Sequence, residues 1–505
     1  MKRLLILIIL SLSALALVAP QLPFAADARA QTAPTATPRP TRVRQPKAVV
    51  TPEPTATAEP EEADAETDSA ELAPVAPGAM TSQIVVFNPD TTGSATVQIE
   101  IYDSAGAAVF TTTESISPNG AKIIAVPNTL GANFQGNAII SSDKNVQALA
   151  LAANGNNNAR DAYEGVSAPA TQLTFPLARH LADDTQNNIL AIQNAAASSA
   201  DVTITFYNAD GTMAHQQNET LAARGSFYLN TNTLFSGSPF TGTIALAATQ
   251  NIVAALQTRY VRDTAAVRAL AADEYDTLIY LYSLERKING KGAAQNWSEI
   301  FARNNGANAA DITIEFFKND GSAAGAQTVT GVPANGLAQF LLNDAAFAAL
   351  GNAFTGWAKV TSTEPLGVST FSAMSKGKRF NGVDGLANSQ VNTRYVCGAT
   401  ARSATENTQL TLLNTEARNA KILVRLFDPN TGAKLMQTTI KLTPHAATTV
   451  KFSDSLFAAA GSNFRGMTLV QAKGKTPPKI IAAVSNPYGS NKLISANGYL
   501  CSAIP

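Results

Sequence analysis

Four stretches of this chain repeat one pattern, an alternating strand-like segment that ends in a tight turn. They read VQIEIYDSAG (97–106), VTITFYNADG (202–211), ITIEFFKNDG (312–321) and ILVRLFDPNTG (422–432). An asparagine precedes each, at Asn88, Asn194, Asn304 and Asn414. A Phe-x-Gly follows each, at Phe134/Gly136, Phe240/Gly242, Phe354/Gly356 and Phe464/Gly466. The asparagines are 106, 110 and 110 residues apart, and the phenylalanines 106, 114 and 110. Two independent markers that keep nearly one period imply tandem domains, each long enough to bury its own core.

Within each copy one face is aliphatic. Val97, Ile99 and Ile101 alternate with Gln98, Glu100 and Tyr102, and Val202, Ile204 and Phe206 with Thr203, Thr205 and Tyr207. A period of two with one apolar face is a strand that covers a core on one side. The glycines at 106, 211, 321 and 432 suit the positive φ of a tight turn into the next strand. Further turns at Pro118-Asn119-Gly120, Ala223-Arg224-Gly225, Pro333–Gly336 and Pro444-His445 introduce more apolar segments. About seven short strands per repeat predict an all-β chain of four tandem immunoglobulin- or fibronectin-like β-sandwiches. The expected domains are 80–181, 182–290, 291–392 and 393–505. The segments TFPLARH (174–180), LIYLYSL (278–284) and RYVCG (394–398) lie at the junctions, where each could end one domain or begin the next. NDAAFAALG (343–351) suits a single helical turn, and Thr264–Asp273 is the best helical candidate.

The N-terminus reads as an export signal over residues 1–30. Lys2 and Arg3 precede an apolar run from Leu4 to Val18, and Ala28-Arg29-Ala30 offers a small-x-small cleavage site. The run is shorter than the ~20 residues of a spanning helix, so no integral membrane span is expected in the mature chain. Residues 31–79 contain nine prolines and eight threonines but no aromatic residue. Such a segment cannot bury enough apolar surface to fold and is expected to be a disordered linker.

The junction motif TFPLARH (174–180), with ILAIQN (189–194), FYNADG (206–211) and FTG (240–242), resembles a widespread class of secreted proteins of filamentous bacteria. These carry a Thr/Pro-rich linker and tandem β-sandwich repeats, and the likeness covers residues 81–505. It implies an extracellular structural or adhesive role by analogy.

Two cysteines, Cys397 and Cys501, bracket the fourth repeat in Tyr-Val-Cys and Tyr-Leu-Cys. In an exported protein they read as a disulfide from a domain's first strand to its last; the alternatives are two buried thiols or a bond to another chain. The three histidines, His180, His215 and His445, fall at different places in their repeats, which argues against a metal site. Asp273-Glu274 with Asp276 is the one acidic cluster near a junction, and it reads as a solvated loop. There is no Gly-x-Ser-x-Gly elbow, His-Glu-x-x-His or phosphate-binding glycine loop. The 37 basic residues balance 37 acidic ones, which removes the electrostatic footprint of a nucleic-acid binder. Of the aromatics that could serve a glycan, Trp357 reads as core and Trp297 as an exposure candidate. Tyr102, Tyr207, Phe317 and Phe427 share one position beside the turn and read as packing.

No catalytic residue, cofactor or metal ligand is expected. The expected protein is a non-enzymatic structural or adhesive component of the bacterial cell surface: a surface-layer, sheath, matrix or adhesin-rod protein. Its partners would be itself, other envelope components or surface polysaccharide. A secreted glycan-binding array is the alternative, and a hydrolase with an unrecognised site the third choice.

Overall fold

A computed structural model describes residues 4–11, 80–131, 134–154, 160–181, 186–235, 238–260, 263–289, 293–374, 380–403, 406–488 and 495–504. The 31–79 segment lies outside them. The described chain is all-β, with antiparallel sheets joined by short turns and single-turn helices. All the described residues belong to one compact unit.

One pairing scheme recurs in each of the four repeats. In the second, Ala170–His180 pairs with the front half of the long strand Phe240–Tyr260. That half also pairs with Ala200–Asn208, which in turn pairs with Met213–Leu221. The back half pairs with Gln186–Asn194 and Asp263–Arg268, and Ser226–Asn230 completes this second sheet. One strand therefore runs through both sheets, whose apolar faces close on Leu190, Ile192, Val202, Ile204, Phe206 and Leu256. In the third repeat Ala353–Met374 is the shared strand. The first and fourth divide it, into Gln135–Ser142 with Gln147–Asn154 and Phe464–Lys473 with Ile480–Tyr488. The alternation read from sequence is realised: Val97, Ile99 and Ile101 are wholly buried while Thr96 and Gln98 are exposed.

Each junction strand pairs forward. Ala170–His180 and Asp276–Ile288 join the sheets of the second and third repeats, so divisions after 181 and 290 leave each strand on the wrong side. The apolar alternation of these segments fits either side; the free edge beside each Phe-x-Gly strand decides it. The helix expected over Thr264–Asp273 is a strand, Asp263–Arg268, followed by a single turn at Ala272–Glu274. Pairing with 255–260 overrides its local helix propensity. The turn expected within 343–351 is present at Ala345–Leu350. Leu4–Ser11, inside the segment read as an export signal, forms a strand antiparallel to Gln135–Ser142, the place that a junction strand takes in the other repeats; cleavage after Ala30 would remove it and open that edge of the first repeat's sheet.

The repeats meet by four equivalent joints. The turn after each alternating strand offers a carbonyl to a backbone N–H of a neighbouring repeat: Ser226 to Ser104 at 3.0 Å, Leu337 to Ala209 at 2.9 Å and Ala447 to Asn319 at 2.9 Å. The fourth bond runs from Ala121 to Pro429 at 2.8 Å, joining the last repeat to the first. The four repeats thus close into a ring. Turn glycines Gly106, Gly211, Gly321 and Gly432 have positive φ, and a Cβ on any of them would strike a carbonyl of the adjoining repeat. Glycine is needed there for conformation and for approach.

Candidate functional site

Most of the residues singled out in the sequence build these joints. Asn88, Asn194, Asn304 and Asn414 are wholly buried. Each side-chain amide ties the loop after its own strand to the turn that receives a neighbour. Asn304 donates to the carbonyls of Asn308 at 2.7 Å and Val332 at 2.9 Å, and its Oδ1 accepts from the Gly306 N–H at 2.8 Å. Asn88, Asn194 and Asn414 bond in the same way. A buried donor and acceptor at one point explain why asparagine stands there.

Phe240, Phe354 and Phe464 are buried, and Phe134 packs at the margin of its core. In every copy the phenylalanine ring lies over its own glycine (Gly136, Gly242, Gly356 or Gly466). A Cβ there would also meet the backbone carbonyl of Tyr102, Tyr207, Phe317 or Phe427. Those four aromatics lie at the joints. Phe317 stacks on Trp357 with ring centroids 4.3 Å apart, and the Arg303 guanidinium lies over Tyr207. Burial pulls Arg303 down to about 10, and its guanidinium bonds to Thr243, Asn305 and Asn335. Trp297 is half-buried and donates to Glu299.

Cys397 and Cys501 form a disulfide with Cα atoms 4.6 Å apart, across 104 residues of sequence. The bridge stands beside the short pairing of Ser502 with Val396, at the end of the sheet that contains Phe464–Lys473.

Chemistry gathers at the ring axis instead. The short strands Arg160–Glu164, Asp263–Arg268, Phe380–Asp384 and Ser495–Leu500 pack against one another in cyclic order. They bring the triplets 162–164, 266–268, 382–384 and 498–500 around a cavity of about 40 Å³. Glu164, Arg268, Asp384 and Leu500 hold corresponding places. Glu164, Arg268 and Leu500 also line a wider cavity of about 400 Å³, which adds Glu274, Gln390 and Tyr395 among others.

The Arg268 guanidinium is held by Glu274 through two hydrogen bonds, one of 2.7 Å to Oε2 and one to Oε1. Glu274 also accepts from the Ala271 N–H at 3.0 Å. Burial opposes ionisation of this pair, but each charge holds the other: Arg268 is raised and Glu274 lowered from its ordinary value. Burial dominates the other two carboxyls, against the attraction of Arg268. Glu164 is pushed up to about 7, and Asp384, which accepts from Ser369 Oγ at 2.7 Å, up to about 6. Glu164 Oε1 is shielded from solvent and has no hydrogen-bond partner among the described residues.

None of Glu164, Arg268 and Asp384 was expected from sequence to matter. Their one signal is spacing: Glu164, Arg268, Asp384 and Leu500 are 104, 116 and 116 residues apart, close to the repeat period. Of the acidic cluster, Glu274 is engaged by Arg268, and Asp276 Oδ2 accepts from the Ser389 N–H at 3.0 Å. Among the described residues, no group of three or more metal-ligating side chains occurs, and no helix is long and apolar enough to cross a membrane.

No protein-family model and no curated protein matches the chain. Among solved structures the chain is similar to a glycoside hydrolase of family 32 from Bifidobacterium adolescentis. That alignment has 8% identity and a TM-score of 0.13, and covers 85% of this chain and 95% of that one. A superposition so loose carries no argument about fold or activity.

Proposed function

We propose that this protein is an exported, non-catalytic structural or adhesive component of the bacterial cell surface, built of four immunoglobulin- or fibronectin-like sandwiches. The observation that carries the reading is the set of four free sheet edges. Ala108–Ile116, Met213–Leu221, Ala323–Val332 and Lys434–Leu442 each end a sheet, one per repeat, and each pairs on one side only among the described residues. An unpaired edge is a template for another strand. Four of them on one closed ring give a multivalent surface, in which weak contacts combine into strong attachment. The turns that could have linked rings end to end are already engaged within the ring, so assembly runs through the edges. An intramolecular disulfide fits an oxidising compartment.

The test is retention of the purified chain on isolated envelopes of its host, with microscopy of the protein alone. Retention, or sheets and filaments, lost when lysines are placed on the four edge strands, supports the proposal. A protein that stays monomeric, ignores the envelope and turns over a polysaccharide contradicts it.

A further inference from the structure

The axial cavities form a site of their own. Glu164, Asp384 and Glu274 place three carboxyls around one guanidinium, Arg268, and Glu274 takes that guanidinium through two bonds. Glu164 is left with an acceptor oxygen closed off from bulk water and unpartnered among the described residues. A buried polar atom without a partner costs free energy that a donor would recover.

The space around it sets the size of that donor. The inner cavity, about 40 Å³, holds a group the size of a water or an ammonium. It adjoins the outer cavity at Glu164, Arg268 and Leu500, and the outer one, about 400 Å³, lies within the usual range for small-molecule sites. Gln147, Ser167, Ser389, Gln390, Asn392 and Ser502 line the outer cavity with uncharged hydrogen-bonding side chains. Such a lining suits hydroxyl groups rather than an aliphatic chain. With no set of three metal-ligating side chains among the described residues, the geometry favours an organic cation over a metal ion.

We propose that the ring axis binds an amino sugar, its primary ammonium donating to Glu164 at the mouth of the inner cavity and its hydroxyls facing the polar wall of the outer one. This goes beyond the structural role proposed above and is independent of it. Blocking the edge strands leaves the axis unchanged, and emptying the axis leaves the edges free.

Calorimetric titration of the full chain with D-glucosamine, N-acetyl-D-glucosamine, D-glucose and n-butylammonium tests the proposal at about pH 7.5, above the value of about 7 at which Glu164 gives up its proton. Glucosamine is expected to bind about tenfold more tightly than glucose or the N-acetyl sugar, the scale of one charge-assisted hydrogen bond. It should likewise exceed n-butylammonium, which lacks hydroxyls. Glu164→Gln, of the same shape, is expected to erase the preference for glucosamine over glucose without lowering the melting temperature. Equal binding of glucosamine and glucose by the unaltered chain overturns the proposal, whatever the variant does. So does a preference that survives Glu164→Gln. n-Butylammonium bound as tightly as glucosamine overturns the assignment to sugars.

Discussion

The Trp357 indole N–H donates to the backbone carbonyl of His445 at 2.9 Å, across the joint between the third and fourth repeats. His445 is one of four residues at the same point of a receiving turn, with Asn119, Arg224 and Asn335, and all four have positive φ. In the first three repeats the residue after Phe-x-Gly lies beside this point. Asn137 donates to the Arg224 carbonyl at 2.9 Å and Thr243 to that of Asn335 at 3.0 Å, as Trp357 does to His445. The left-handed turn aims a carbonyl outward, and a different side chain meets it at each of these three joints.

Trp357 also stacks on Phe317 and is 1% exposed. Trp357→Ala is expected to destabilise the unit by about 3–5 kcal/mol. Trp357→Phe keeps most of the packing and loses one hydrogen bond, an expected cost of about 1 kcal/mol from that bond. Urea unfolding separates the two. Equal losses would mean that packing at this joint is not what holds it.

Gly432 has a φ of +68°, and a Cβ on it would collide with the Pro118 carbonyl of the first repeat. Gly351 has a φ of +81° with nothing within 4 Å of a Cβ. With its ψ at 171°, Gly351 sits where essentially only glycine is found, and Gly351→Ala should cost only that backbone strain, about 1–3 kcal/mol. Gly432→Ala should cost clearly more, because the joint between the last and first repeats must also open. Thermal melts of both variants check this, and equal losses would place the Gly432 turn free of the first repeat.

The disulfide closes a long loop within the fourth repeat, and in the chain-entropy model such a bridge stabilises by about 4.7 kcal/mol. Protein purified under oxidising conditions should contain no free thiol and run as a monomer on non-reducing gels. Reduction should lower the melting temperature. Two titratable thiols in the exported protein would contradict the pairing.

Glu164 and Asp384 keep their protons in the folded chain up to about 7 and about 6, whereas their ordinary values are 4.5 and 3.8. Between those limits the folded state binds more protons than the unfolded one, so these two groups make stability fall as pH rises. The groups facing them are Arg268 and Glu274, whose pairing persists through this window. Melting curves should flatten over this range in Glu164→Gln and Asp384→Asn relative to the unaltered chain. An unchanged slope would mean that both carboxyls are solvated.

Local order was legible and ring order was not. The aliphatic alternation of Val202, Ile204 and Phe206, the turn glycines and the cysteine pair all act over one strand, one turn or one repeat, and sequence patterns carry that much. Thr264–Asp273 misled because its propensity is helical while its strand is imposed by 255–260. The glycine of each hairpin has a second role, approach to a neighbouring turn, which its local reading hides. Ser117 Oγ donates to the Asn430 carbonyl across 313 residues, and no periodicity announces such a contact. Glu164, Arg268 and Asp384 were missed for the same reason: each is unremarkable within its own repeat and acquires a role only where the four repeats converge.

Hydrogen exchange at four backbone amides tests closure of the ring most directly. Ser226, Leu337 and Ala447 donate across joints between consecutive repeats and would be protected in an open string of domains as well. Ala121 donates to Pro429, and that bond exists only if the fourth repeat returns to the first. Residue-resolved exchange on the full chain is expected to find all four amides protected to a similar degree. Fast exchange at Ala121 alongside slow exchange at the other three would contradict the ring.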